Sequence, residues 1–234
     1  MILGFDEINS LSAIERTVEN RAESDGLTES KTEKSKNRSI PYKKYFGIMN
    51  LTEKQKKDRE KFAEQLEDDL IMIMSLYDLT REYNITDDSF IVQELKDAYL
   101  KATASFGVPS DEYITEVALA FAVNFIKATK EHKNDAWYTS KDRAKYNAEN
   151  EANTVLNYKD YSEAKKRGFT KKRWWTENDS RVRMTHIPLE GEVIPIDDLF
   201  VVGEALMRFP HDYEYAAEYP EELVNCRCSI TYSN

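Results

Sequence analysis

The residues with the greatest capacity for chemistry lie in two short stretches near the C-terminal end of the chain. One is "NCRCSITY", residues 225–232, which holds both cysteines, Cys226 and Cys228. The other is "WWTENDSRVRMTH", residues 174–186, which ends at His186. Thiols and an imidazole could form a nucleophile with its base, a metal site, or packing contacts that hold a binding module together.

A metal site is one interpretation of the cysteine spacing. If Cys226 and Cys228 lie on a strand, their side chains share one face, because side chains alternate along a strand. His186, with His211 or Asp212, could then complete a tetrahedral zinc site. The usual zinc signature has two CxxC or CxxH pairs, whereas this chain has one CxC. The spacing therefore leaves open a structural zinc, no cofactor, and two small buried packing residues.

Other chemistry is weakly supported by the same cysteines. Nothing local marks either thiol as activated, so no catalytic residue is assigned. A disulfide between Cys226 and Cys228 is disfavoured because so short a ring is strained. We therefore expect free or metal-bound thiols in a reducing compartment.

Two arginines alternate with an aspartate in "DSRVR". In an extended segment Arg181 and Arg183 share a face and could grip a phosphate or a carboxylate. The alternative is an internal ion pair with Asp179 or with acidic residues of the C-terminal end. Trp174 and Trp175 could stack on bases or belong to the core.

Length and composition limit the classes of protein to consider. The chain has 234 residues, 41% of them apolar, and a net charge of −10. This is enough for one large or two small domains, and the negative charge opposes general binding to nucleic acid. The longest apolar run, residues 70–77, is shorter than the roughly 20 residues that span a bilayer, and no secretory signal is predicted. With seven glycines and no phosphate-binding loop, GxSxG or HExxH, the common nucleotide and hydrolase signatures are missing.

Charge is distributed unevenly along the chain. Residues 27–44 contain six Lys or Arg against two acidic residues, a net +4, and residues 184–234 contain two against ten, a net −8. This asymmetry predicts that the two ends contact different surfaces, with ordinary solvated faces as the alternative. Residues 19–39 have almost no apolar content and are predicted to be disordered alone.

Hydrophobic periodicity predicts a mainly helical N-terminal part followed by a small C-terminal α+β module. Thr52 and Gln55 form a capping-box pattern at the start of the first long helix. Three further helices are predicted after "ITDDS", from Ser110, and over 140–166; the last is mostly polar and either joins the bundle or leaves it as an arm. Short β-prone pieces follow Gly168, including 193–196, 200–202 and "CSITY". The predicted division is 1–50 as arm and polar linker, 51–168 as helical region, and 169–234 as α+β module.

The order of several motifs is more specific than any one of them. The sequence reads "W-x-x-x-D-x-R-V-R-x-x-H", then "L-E-G", "L-F-V-V-G-E-A-L-M-R-F-P" and "P-E-E-L-V-N-C-R-C". This order resembles the phage head morphogenesis family, the Mu F-like minor head proteins, over roughly residues 140–232. The matching positions are Trp175, Asp179, Arg181, Arg183, His186, Gly191, Phe200, Gly203, Pro210, Asp212, Pro220, Glu222, Asn225, Cys226, Arg227 and Cys228.

Two turns depart from the family pattern. Glu190 stands where the family usually has Asp in a Leu-Asp-Gly turn. His211 stands where the family has Gly between Pro210 and Asp212, which puts that turn in doubt.

The resemblance implies a minor capsid protein of a tailed phage that is not an enzyme. It would lie in the virion, inside the capsid near the portal vertex, and in the host cytoplasm during assembly. It would bind the portal protein and assist assembly or DNA ejection, with major capsid or scaffolding protein and packaged double-stranded DNA, through residues 27–44, as further partners. The alternative is a nuclease or toxin-like enzyme that uses His186 with Arg181 and Arg183. Under the first hypothesis, Asn225 and Arg227 are expected to hold the closing strand to "DSRVR".

Overall fold

The computed structural model describes residues 41–83 and 87–234. The polar segment 19–39 and most of the basic segment 27–44 lie outside the described residues. The predicted fold class is confirmed: the described chain is mainly helical, with a few short antiparallel strands at its C-terminal end. The longer helices are α1 Tyr42–Gly47, α2 Glu53–Glu82, α3 Ser89–Ser105, α4 Glu112–Glu131 and α5 Lys141–Lys166.

Short elements follow α5. They are β1 Lys171–Trp175, β2 Val193–Pro195, β3 Phe200–Val202, β4 Ala205–Met207, α6 Tyr213–Ala216, α7 Pro220–Leu223 and β5 Ser229–Ser233, with 3-10 turns at Ala136–Thr139 and Ile187–Leu189. Strand β1 lies between β2 and β5 in an antiparallel sheet, and β3 pairs with β4 in a separate hairpin. Strands β1 and β5 pair along their whole length, with Trp174 opposite Ile230.

The predicted helix starts are confirmed to within two residues. The Thr52 hydroxyl accepts a hydrogen bond from the Gln55 amide (3.3 Å), and the Thr52 amide donates to Gln55 Oε1 (3.0 Å), which is the predicted capping box. Helix α4 begins at Glu112 instead of Ser110, because the Asp111 carboxylate accepts from the Ile114 amide (3.2 Å) as the N-cap.

The polar helix α5 joins the bundle, and α2 makes extensive contact with it. Ala144, Ala148 and Ala152 recur at every fourth residue and are fully buried. Small side chains at this spacing form a stripe on one face of a helix and allow a neighbouring helix to approach closely. Polar pairs complete the contact, as where Arg59 Nη2 donates to Asn157 Oδ1 (2.7 Å).

Two elements differ from the sequence predictions. Strand β1 is not predicted from the sequence, because "KKRWW" shows no alternation of apolar and polar residues. In the structure, Lys172 of this strand is buried and donates from Nζ to the Arg208 carbonyl (2.8 Å). Helix α1 lies inside the segment predicted as arm and linker, yet Phe46 is fully buried and belongs to the main core. Within 41–83 and 87–234, no helix is long and apolar enough to cross a membrane.

Candidate functional site: a buried histidine–cysteine cluster

Three predicted site residues converge in the C-terminal module. His186 Nδ1 lies 3.4 Å from Cys228 Sγ and 3.6 Å from Cys226 Sγ, and the three ligand atoms all lie within 4.8 Å of one another. Both cysteines are free thiols and both are buried. The premise that they share a strand is wrong, because β5 begins at Ser229. They follow a turn at Asn225, whose φ is +57°.

His186 is held at both its backbone and its ring. Its amide donates to the Arg183 carbonyl (2.9 Å), which closes the turn ahead of the Ile187–Leu189 3-10 turn. Its Nε2 lies 2.9 Å from Glu222 Oε2, on the side of the ring away from the sulfurs. The Thr185 hydroxyl donates to the same oxygen (2.8 Å) and so fixes the carboxylate.

Glycine at position 203 makes room for that carboxylate. Gly203 lies in the turn between β3 and β4 with a φ of +63°. A Cβ atom at this position would lie 2.7 Å from Glu222 Oε1. A side chain here would therefore displace the group that orients His186.

The cluster stabilises a thiolate. The Cys228 thiol and His186 hold the pKa of Cys226 well below its usual range, although burial opposes this. Burial by itself lowers the pKa of His186, but Cys226 and Glu222 outweigh it and raise that pKa to about 9. The arrangement therefore favours negative charge on Cys226 Sγ beside the His186 ring. Such a charge suits an internal ion pair with His186 and also a cation-binding site.

The two proposed fourth ligands do not reach the cluster. His211 Nε2 donates to the Cys226 carbonyl (2.8 Å). His211 has a φ of +66°, so it occupies the left-handed position that glycine takes in the family turn. Asp212 is fully buried and accepts from Arg208 Nε (2.7 Å) and Nη2 (2.8 Å). Neither residue is therefore available as a ligand.

The "DSRVR" segment provides structural contacts. Arg227 donates from Nη1 and Nη2 to the two carboxylate oxygens of Asp179, at 2.8 and 2.7 Å. These hydrogen bonds lower the pKa of Asp179 to about 2. Arg181 is exposed and lies 3.7 Å from the same carboxylate, while Arg183 donates to the Val224 carbonyl. Arg181 and Arg183 therefore both contact groups of the protein itself. This favours internal contacts over binding of an external phosphate or carboxylate.

Asn225 was expected to contact "DSRVR", but its hydrogen bonds go to another element. Its amide donates to Asn150 Oδ1 (2.7 Å), and its side chain donates to the Tyr146 hydroxyl (3.1 Å). Both partners belong to α5. Asn225 thus ties the closing segment to the helical region, and Arg227 alone makes the expected contact with Asp179.

Other predicted motif residues make contacts within the C-terminal module or with α5. Trp174, not Trp175, is the fully buried tryptophan, and its ring meets the His186 ring edge-on at 6.0 Å. Trp175 is half-buried and donates from Nε1 to the Thr231 hydroxyl (2.8 Å). The amide of Gly191 donates to the Trp174 carbonyl (2.9 Å), and the carbonyl of Pro210 accepts from Asn157 Nδ2 (2.9 Å).

Sequence reasoning missed an apolar cleft between α4, α5 and the α6–α7 segment. The cavity has a volume of about 180 Å³. Its lining includes Val117, Phe121, Pro220 and Val224. Val117 and Phe121 lie on the buried face of α4, and nothing in the local sequence indicates that part of this face borders a cleft.

The comparisons with known proteins place this site in a family context. Residues 117–231 match the family described as "Phage Mu protein F like protein". Over this region the chain belongs to the phage Mu F-like family. This match supports a role in phage head morphogenesis and a place in the virion. The cluster, Asp179–Arg227 and most of the cleft lie inside the matched region.

A second comparison finds a much longer protein. The NAD(+)--arginine ADP-ribosyltransferase EFV of Enterococcus faecalis (strain ATCC 700802 / V583) is 30% identical over 131 residues, which are 50% of this chain and 26% of that protein. The chain thus spans about a quarter of the length of this curated relative. No solved structure matches the chain.

Proposed function

We propose that this protein is a minor head protein that binds the portal protein inside the phage head and assists assembly or genome delivery. The family match over residues 117–231 is the observation that supports this function most strongly. Major capsid or scaffolding protein would be further neighbours in the assembling head.

We assign the apolar cleft as the portal-binding surface. Its walls are largely apolar, and the carboxylates of Glu116 and Glu214 are among the lining groups. A segment with apolar side chains and a neighbouring basic residue complements such a surface. Nucleic acid is a poor occupant, because the net −8 of residues 184–234 repels phosphate.

Filling the cleft tests the portal contact. We propose co-expressing the full chain with the portal protein of the same phage and measuring how much of the chain co-purifies. Ala120 lines the cleft on α4, so Ala120→Trp should reduce the bound fraction about tenfold or more. Ala104→Trp is the matched control, because Ala104 is exposed on α3 away from the cleft and should bind as wild type. Equal co-purification of both variants would contradict the assignment of the cleft.

Packaged double-stranded DNA is the proposed partner of the basic segment 27–44. The charge of this segment, a net +4, is opposite to that of the C-terminal end. Exchanging its six basic residues for Gln should abolish duplex binding at low salt and leave portal binding unchanged. Duplex binding that survives this exchange would place the DNA contact elsewhere.

An enzyme is the second candidate function, because the E. faecalis relative is named as an ADP-ribosyltransferase. In this chain His186 is buried and engaged by Glu222, which is a poor arrangement for contact with a substrate. Purified protein should therefore neither consume NAD⁺ nor cleave nucleic acid. Turnover that disappears in the surface variant Arg181→Ala would favour the enzyme instead.

A further inference from the structure

We propose that His186 Nδ1, Cys226 Sγ and Cys228 Sγ bind one Zn²⁺ ion, with a water molecule as the fourth ligand. This zinc would hold the closing segment of the C-terminal module to the turn that carries His186. The site shares no residue with the portal-binding cleft proposed above.

Interatomic distances support this assignment. Zinc binds thiolate sulfur at about 2.3 Å and histidine nitrogen at about 2.0–2.1 Å with tetrahedral angles, which places the nitrogen about 3.5 Å from each sulfur. The observed separations from His186 Nδ1 are 3.4 Å to Cys228 and 3.6 Å to Cys226. Two cysteines buried as simple packing residues need not both meet the same ring nitrogen at this spacing.

The group behind the histidine also fits a metal ligand. A histidine that binds a metal usually directs its other nitrogen to a carboxylate, which fixes the ring and its tautomer. Here Nε2 donates to Glu222, and Thr185 holds that carboxylate in place. Nδ1 faces the two sulfurs, and once it has given up its proton its lone pair is available to a metal ion.

Burial and charge favour a divalent ion at this position. The exposed fraction is 2% for His186, 2% for Cys226 and 4% for Cys228. Thiolates formed in so dry a place on metal binding would be costly without a cation to neutralise them. One Zn²⁺ would balance the negative charges of both sulfur ligands.

A small adjacent cavity provides the fourth position. It has a volume of about 20 Å³ and is lined by the three cluster residues together with Arg181, Arg183 and others. A single water needs roughly 10–15 Å³ of such space. Because His211 and Asp212 are engaged elsewhere, we assign the position to water and not to a fourth side chain.

The test begins with the full chain expressed in zinc-supplemented medium and purified without a metal-binding tag. Elemental analysis should find about one zinc per chain. Exchange for Co²⁺ should give the visible bands of a tetrahedral ion together with thiolate charge-transfer absorption. Removing zinc with a chelator should lower the melting temperature, and adding zinc back should restore it.

Ligand identity is tested by substitution. His186→Gln and Cys228→Ser should each reduce zinc affinity at least tenfold in competition with a chelating dye. His132→Gln is the control outside the cluster, and His211→Gln is the control for a buried histidine beside it; both should retain about one zinc. Glu222→Gln should retain zinc with affinity weakened about 10–100-fold.

Two outcomes would overturn the proposal. The first is wild-type protein that holds no zinc and develops no thiolate–cobalt absorption on metal addition. The second is a soluble His186→Gln or Cys228→Ser variant that binds zinc as tightly as wild type. If these variants do not fold, the wild-type chelation and cobalt measurements still decide.

Discussion

Arg227 and Asp179 form a two-point contact between the closing segment and the loop after β1. Lysine keeps the charge of Arg227 but not the planar fork that reaches both oxygens. Because the Asp179 side chain is 37% exposed, we expect Arg227→Lys to lower the free energy of unfolding by about 1 kcal/mol. Urea denaturation measures this. Arg181→Lys is the control, since the Arg181 side chain is 63% exposed and should change stability by less than about 0.5 kcal/mol.

The same contact predicts a dependence on pH. The pKa of Asp179 is lowered from 3.8 to about 2 by its hydrogen bonds from Arg227. A carboxyl group with a depressed folded-state pKa contributes stability above its unfolded pKa and loses it as pH falls through the folded value. The difference between wild type and Arg227→Lys should therefore be full above about pH 5 and shrink towards about pH 2. A difference that stays constant across this range would show that the two hydrogen bonds of Arg227 do not depend on the ionisation of Asp179.

Residue types near the site were predictable, whereas their partners were not. Cys226, Cys228 and His186 are recognisable because few other side chains bind soft metals or act as nucleophiles. Glu222 stood among the family positions without a role, since its contact depends on α7 turning it towards His186. Asn225 was assigned to the wrong partner because its left-handed backbone conformation cannot be inferred from "NCRC".

Helix α5 shows how tertiary contacts govern a polar element. Its sequence predicts a length and a start, but no apolar face. In the structure, Glu151 is fully buried and accepts a hydrogen bond from the Tyr99 hydroxyl (2.7 Å). Such pairings join distant segments, so a sequence taken alone leaves the location of the helix open.

Glu151 yields a prediction at this scale. Burial raises its pKa from 4.5 to about 7, with the Tyr99 hydrogen bond acting in the opposite direction. A carboxyl group with a raised folded-state pKa costs stability as pH rises from about 4.5 to about 7, because ionisation is easier in the unfolded chain. Glu151→Gln should therefore stabilise the protein by about 2 kcal/mol at pH 8 and have little effect near pH 4.

Thermal unfolding at the two pH values measures this effect. Glu163→Gln on the exposed side of α5 is the matched control and should show no comparable gain at pH 8. If Glu151→Gln destabilised the protein equally at both pH values, the hydrogen-bond geometry of the carboxylate would matter more than its charge.

At the scale of the whole molecule, the core is continuous between the helical region and the C-terminal module. One cluster of buried apolar side chains extends from Tyr42 to Ile230. Polar contacts join the same parts: the Ser229 hydroxyl donates to the Asn50 carbonyl (3.0 Å), and the Asn50 amide donates to Glu177 Oε1 (3.1 Å). The predicted boundary near residue 168 rests on Gly168, after which the helical pattern of the sequence does not continue. Periodicity reports local elements, whereas these long-range contacts decide which elements fold together.

This continuity predicts that residues 41–234 unfold in one cooperative transition. Helical circular dichroism reports mainly on α2 to α5, and the fluorescence of Trp174 and Trp175 reports on the module. Trp137→Phe removes the third tryptophan, which belongs to the turn before α5, so that fluorescence then follows the module alone. The two signals should give the same midpoint in urea, because neither part can expose its share of the core without exposing that of the other.

Asn225→Ala removes one side-chain hydrogen bond to α5, and it should lower both midpoints together. Fluorescence that changes before the helical signal, in either variant, would mean that the module unfolds independently and that the division near residue 168 is a true domain boundary.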